Sequence, residues 1–208
     1  MKRLLLIAMP ALIFLAGCSS SAKVVNSWGT TAEKPAMKRI LVMGLFNDKD
    51  RNVRLQMEKE LANDLKAYGY DAVTSYNEYG PKSFGNMKEE KVLDMLRNSS
   101  IDGVVTITML DKSRERNYVP GTVGYSPYGM YYPRFWGYYS YYSPRIYQPG
   151  YYETNTNYFF ETNLYSIDNN KLLYSAQSKT FDPSTVRSLA DAYARTIVRD
   201  MRKKNVLG

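Results

Sequence analysis

Histidine is missing from all 208 residues and cysteine occurs once. The first absence removes Ser-His-Asp and Cys-His catalysis, the H-E-x-x-H zinc helix and ordinary imidazole metal sites. The second removes any intrachain disulfide, so stability has to come from a packed core. Phosphate-cradling G-x-x-x-x-G-K-[ST] and G-x-G-x-x-G loops are also missing from the globular part. The one S-x-x-K, Ser20 to Lys23, lies in a polar stretch read as a tether, where nothing would hold a Ser-Lys dyad in register. The paired carboxylates Glu89 and Glu90 read as a solvated helix face. The sequence points away from an enzyme, and it offers no cofactor or metal site.

What is present begins with an export signal. Lys2 and Arg3 precede an apolar run from Leu4 to Leu15, broken by Pro10. As a helix this run rises only ~18 Å, against the ~30 Å of a bilayer core, so residues 1–17 read as a signal peptide and not as a span. Leu15-Ala16-Gly17-Cys18 resembles a bacterial lipobox. The resemblance implies lipid attachment at Cys18, by a diacylglycerol and an N-acyl chain, as the only covalent additions. Several acyl chains anchor firmly where one is marginal. Ser19, Ser20 and Ser21 follow with no acidic residue, a pattern that resembles the outer-membrane, periplasm-facing default of Gram-negative lipoproteins. In another host the same anchor would lie on the outer face of the plasma membrane.

Charge then has to be read in that compartment. The chain carries +8, which falls to +6 without Lys2 and Arg3. Basic, aromatic proteins often bind nucleic acid, but export removes that partner. Phospholipid headgroups, wall glycan carboxylates and envelope proteins remain.

Residues 18–36 are small and polar and read as a tether. Such a segment averages roughly 25 Å end to end and reaches ~60 Å at full stretch. Val24-Val25-Asn26-Ser27-Trp28 is less linker-like, and Trp28 would either dock on the domain or lie at the bilayer interface, docking being preferred.

Residues 37–208 read as a single α/β domain. Ile40 to Phe46 is a continuous apolar run, the pattern of a strand buried on both faces. A helix follows, capped by Asp48 or Asp50, with a stripe of Val53, Met57, Leu61, Leu65 and Tyr68 and a stop at Gly69. Asp71–Ser75 is a second strand. Asn86 and Glu89 have the spacing of a capping box for a second helix through Val92, Leu93 and Leu96. Ile101–Leu110 is a third strand, and strand-helix alternation implies parallel pairing. Residues 151–167 and 171–181 flank the turn Asp168-Asn169-Asn170 and form a β-hairpin. Leu172, Tyr174 and Ala176 share one face of its second strand. Asp182-Pro183 would cap a last helix whose inward stripe is Leu189, Ala192, Tyr193, Thr196, Ile197 and Met201, with Arg195, Arg199 and Arg202 on a solvated face. The expected order is β-α-β-α-β-β-β-α: parallel core strands, an antiparallel hairpin, and helices packed on a mixed sheet.

Lys38–Phe46, Ala67–Ser75, Glu161–Ile167, Lys171–Ser175 and Thr180–Ser184 together resemble a group of small bacterial envelope lipoproteins of unknown function. The order of elements resembles the amino-terminal domain of TolB and the cores of outer-membrane assembly lipoproteins, such as the curli secretion factor and the lipoprotein activators of wall synthases. Neither resemblance brings catalytic residues.

Between the third strand and the hairpin lies an insertion, residues 117–150, with ten tyrosines, one tryptophan, one phenylalanine, two arginines and no acid. A connection beyond ~12–15 residues is usually functional or disordered. Tyrosine presents a flat face and a hydroxyl at little rotamer cost, which suits recognition surfaces. The candidate binding residues are Tyr131, Tyr132, Arg134, Trp136, Tyr138, Tyr139, Tyr141, Tyr142 and Arg145. Packing of the loop back on the sheet, self-association, and contact with the membrane interface are the competing readings. The expected role is an accessory binding or structural module contacting wall glycan or an outer-membrane protein. The alternative is an assembly factor or regulator of an envelope enzyme or secretion complex, acting through the α/β domain.

Overall fold

The computed structural model describes residues 21–31, 36–81, 84, 87–119 and 151–207. Six strands form one sheet: β1 Ala22–Gly29, β2 Arg39–Leu45, β3 Asp71–Thr74, β4 Gly103–Val119, β5 Tyr151–Ser166 and β6 Lys171–Phe181. Their order across the sheet is β1-β6-β5-β4-β2-β3. β2 pairs in parallel with β3 and β4, while β4-β5, β5-β6 and β6-β1 are antiparallel. Helices α1 Arg51–Ala67, α2 Ser75–Tyr79, α3 Glu89–Asn98 and α4 Val186–Lys203 pack on this sheet. The α/β class with a mixed sheet is as the sequence implied.

The two faces are filled unequally. On one, α1 and α4 cover Ile40, Val42, Ala72, Val105, Ile107, Phe160, Leu164, Tyr174 and Ala176 with Met57, Leu61, Leu65, Leu189, Tyr193, Ile197 and Met201. Each fully buried large apolar side chain contributes about 1.5–3 kcal/mol. Phe160 is at the centre, its ring 5.2 Å from Tyr193 in an edge contact and 6.1 Å from Tyr158 in a stack. On the other face a smaller cluster joins Leu41, Met43, Val104, Ile101 and Ile167 to Leu96 of α3. β2 is apolar and buried from Ile40 to Met43 because it is covered there on both sides.

Several local expectations are corrected. Residues 22–29, read as part of the tether, form β1 and pair with β6 from Ala22↔Thr180 to Gly29↔Tyr174. The strand is held by ladder bonds and by close packing at its end, where a Cβ on Gly29 would lie 2.9 Å from Lys204 Cβ. Trp28 belongs to that strand, but its side chain is 52 % exposed. Asp50 holds the N-cap position of α1 but makes no side-chain cap bond; the side-chain cap lies one turn earlier, where Asn47 accepts from the Lys49 N–H at the start of the 3-10 turn Asp48–Asp50. Gly69 ends α1 with φ of +91°, as its sequence implied, yet Tyr68 is left exposed at the end of the stripe. The N-cap of α3 is Lys88, which makes no side-chain cap bond; Asn86 lies outside the described residues. The cap of α4 is Thr185, not Asp182: Thr185 and Ser188 form a reciprocal capping box. In α4, Thr196 is only half-buried. Within β6 a register shift opposite Leu164 and Tyr165 turns Leu172 outward, 39 % exposed, and buries Leu173. β4 runs on through Val119 and does not stop at Leu110.

Candidate binding surface

Side chains alternate between the two faces of a strand. Opposite α1 and α4, the strands β4, β5, β6 and β1 therefore present Thr106 and Thr108, then Phe159, Glu161 and Asn163, then Ser175, Gln177, Lys179 and Phe181, then Lys23, Asn26 and Trp28. Of these, Lys23, Asn26, Trp28, Gln177 and Phe181 are exposed and the others are partly so. The face is polar, with an aromatic and cationic row at one end. Lys179 Nζ lies 4.9 Å from the Phe159 ring centre and 4.6 Å from that of Phe181, and Lys23 Nζ lies 5.1 Å from Phe181. Each ammonium covers a ring while keeping its charge in water.

That row lies beside a projecting ribbon. The β5-β6 ladder ends at Asn157↔Phe181, whereas β4 and β5 continue to pair from Arg114↔Thr156 to Val119↔Tyr151. Asp182 clasps the ribbon base: its N–H donates to Thr156 O at 2.8 Å, and the Thr156 N–H donates to Asp182 Oδ1 at 3.1 Å. Beyond the clasp, among the described residues, β4 and β5 pair only with each other. Residues 120–150 connect their tips, so the insertion leaves from the end of the ribbon. Tyr131, Tyr132, Arg134, Trp136, Tyr138, Tyr139, Tyr141, Tyr142 and Arg145 lie outside the described residues, and so does Cys18.

Other polar clusters are engaged in holding the fold. Glu58 is fully buried and accepts from the Gly44 N–H at 2.8 Å, Arg54 Nε at 2.8 Å, Ser75 Oγ at 2.9 Å and the Tyr76 N–H at 3.2 Å. A small cleft of about 260 Å³ above the carboxyl end of β2 is lined by Phe46, Arg51, Arg54, Tyr76 and Pro81. Both of its arginines are committed, Arg51 to Tyr76 Oη and Arg54 to Glu58, Ser75 and Pro81 O. The hydroxyls of Tyr174 and Tyr193 are pushed well above the usual phenol range, in each case chiefly by burial, and the Asp200 carboxylate adds to the shift at Tyr174. Among the described residues no three His, Cys, Asp or Glu side chains are grouped to hold a metal. A groove of about 490 Å³ runs between α1 and the edge strand β3, lined by Leu55, Lys59, Ala62, Asn63, Val73 and Asn77.

The sequence missed the open face because its residues are spread over four strands separated by up to about 150 positions. The alternation of Lys23, Asn26 and Trp28 against Ala22, Val24 and Ser27 was the available signal, and it was masked by the polar, linker-like composition around it.

Fold and surface together define a mixed α/β domain with one sheet face covered by α1 and α4 and the other covered by α3 at β2, left open across β5, β6 and β1, and ending in a β-ribbon. No protein-family model matches the chain, and no curated protein matches it. Among solved structures, the chain is similar to the PelC dodecamer from Paraburkholderia phytofirmans, at 15 % identity over 85 % of this chain and 94 % of that one, TM-score 0.44. It is similar to lipoprotein GNA1162 from Neisseria meningitidis at 15 % identity over 80 % of this chain and 99 % of that one, TM-score 0.45. A neuraminyllactose-binding hemagglutinin homolog from Helicobacter pylori is similar at 9 % identity over 82 % and 84 % of the two chains, TM-score 0.40. Likenesses this distant carry no argument about the task of this chain.

Proposed function

We propose that this chain is a lipid-anchored, non-enzymatic accessory binding module of the bacterial envelope. It is held by acyl chains on Cys18 and contacts cell-wall glycan or an outer-membrane protein through residues 117–150 and the open sheet face beside them. The observation that carries the reading is the ribbon: β4 and β5 continue past the rest of the sheet and hold the ends of the tyrosine-rich segment away from the body, next to the Phe159, Phe181, Lys23 and Lys179 row. A sheet face of threonine, asparagine and glutamine with aromatic rings at its margin offers stacking surfaces and hydrogen bonds together. Nothing in such a surface requires turnover.

Crosslinking in cells with and without residues 120–148 tests this. The expected result is loss of specific partners, or of co-sedimentation with purified wall glycan, while the remaining domain keeps its circular dichroism and unfolding midpoint. An unchanged partner set would refute binding through the loop. It would favour the second reading, an assembly factor acting through the α/β domain, which the groove between α1 and edge strand β3 supports because an extended peptide could add to that edge.

A further inference from the structure

We propose that the β4-β5 ribbon is a second membrane contact, laid in the headgroup layer of the leaflet that holds the Cys18 acyl chains. This rests on the reading of Cys18 as the lipid-bearing residue.

The first argument is length. The Phe181 N–H donates to Ser21 O at 2.8 Å, so the backbone is fixed to the sheet as far as Ser21. The pairings Tyr158↔Thr180 and Ala22↔Thr180 set the direction of β1, whose amino end leaves the sheet at the same end as the ribbon. Cys18 is three residues before Ser21, a reach of at most ~11 Å. On β4, Ser113 is level with that point, through Asn157 and Phe181. From Ser113 to Val119 the strand extends ~20 Å. The ribbon is therefore longer than the leash. An upright domain would drive the ribbon tip past the acylated sulfur, and a tilted one lays the ribbon along the surface.

The second argument is the sorting of charge. Pairing partners and alternation place Arg114, Arg116, Tyr152, Thr154 and Thr156 on one ribbon face and Glu115, Glu153 and Asn155 on the other. Both cations lie on the first face and both carboxylates on the second. The Arg116 guanidinium sits 5.1 Å from the centre of the Tyr152 ring, which is 63 % exposed. Guanidinium beside tyrosine suits the phosphate layer, where aromatic rings settle and arginine pairs with phosphate. Glu115 instead accepts from Asn157 Nδ2 at 3.3 Å, on the side of the open sheet face. The open face is thereby turned from the lipid and left available to a partner. Among the described residues no helix is long and apolar enough to cross a membrane, so this contact is interfacial.

The test uses the full acylated chain in vesicles of phosphatidylethanolamine and phosphatidylglycerol. With Cys18 acylated, a spin label on Thr154→Cys reports the ribbon, and one on Asn169→Cys in the opposite hairpin turn serves as reference. The expected result is shielding of the Thr154 label from an aqueous nickel chelate, with the Asn169 label fully accessible. Arg114→Glu with Arg116→Glu should return the first label to water, each cation being worth roughly a fivefold change in partitioning to an anionic surface. Glu115→Gln with Glu153→Gln should leave the label shielded. Equal aqueous access at both labels, in protein that incorporates labelled palmitate, overturns the ribbon contact and leaves the anchor standing. Absence of palmitate from the native chain overturns both.

Discussion

Replacing Glu58 by alanine should be among the most damaging single changes in the domain. Its carboxylate is fully buried and receives four donors: Gly44 N at 2.8 Å, Arg54 Nε at 2.8 Å, Ser75 Oγ at 2.9 Å and Tyr76 N at 3.2 Å. These come from the end of β2, from α1 and from α2, so one side chain ties three elements. Truncation removes the carboxylate 2.8 Å from the Arg54 guanidinium, which is only 16 % exposed. It also leaves the buried Gly44 N–H unpaired. Removing one partner of a buried ion pair costs about 3–5 kcal/mol, against a total stability of about 5–15 kcal/mol for a domain. With a urea dependence of ~2 kcal/mol per molar, the midpoint should fall by roughly 2 M. Glu58→Gln retains an acceptor for Gly44 and should cost less. The double replacement Arg54→Met, Glu58→Leu removes both charges and should be less harmful than the sum of the single changes. Equilibrium urea unfolding followed by circular dichroism measures all of these. A loss below ~1 kcal/mol for Glu58→Ala, or strict additivity in the double variant, would show that the network is not coupled in this way.

The proton affinity of Asp64 gives a pH test. Burial, then Asp191, hold its pKa above the ordinary 3.8, with Arg195 acting in the opposite sense and Glu60 adding a little. The folded state thus binds this proton more tightly than the unfolded chain, so the penalty is absent below pH 3.8 and complete once pH has risen through the raised folded value. Asp64→Asn should raise Tm at pH 7, and the gain should shrink as pH falls below that value. A gain that grows on acidification would contradict the assignment. Thr185→Ala removes an acceptor that lies 3.0 Å from the Ser188 N–H, and calorimetry should show a loss of about 1 kcal/mol. The same substitution at Ser184 should cost clearly less.

Orientation links these stability arguments to function. The tether expected over residues 18–36 would have let the domain turn freely at a distance from any membrane that held Cys18. Pairing of β1 with β6 ties the backbone to the sheet from Ser21 onward, so the anchor proposed on Cys18 would have only residues 18–20 as its leash. If the proposed acyl chains are on Cys18, so short a leash at a sheet end would set which side of the domain faces the lipid.

Much of this was legible because it is local. Met57, Leu61 and Leu65 recur at helical spacing and are all buried, and Gly69 stops α1 through a positive φ that other residues avoid. Ile40–Met43 reads as apolar on both faces because both faces are covered. Caps were less legible: Asp182, Thr185 and Ser188 are all chemically able to cap, and only the backbone path selects Thr185. Glu58 lies in a charged stretch, Met57-Glu58-Lys59-Glu60, that reads as solvated. Its burial depends on Gly44 and Ser75, residues distant in sequence that the sheet brings to it.

By itself the sequence determined what a short window can encode: which segments are helix or strand, which side of each is apolar, and what chemistry the absence of histidine denies the chain. The tertiary structure decided matters that depend on pairing across long separations. It placed β1 at the sheet edge, tied the backbone to the sheet from Ser21 onward, left one face of four strands open, and sorted Arg114 and Arg116 from Glu115 and Glu153 on the ribbon. Ladder bonds and register are relations between strands, and no single stretch of sequence contains them.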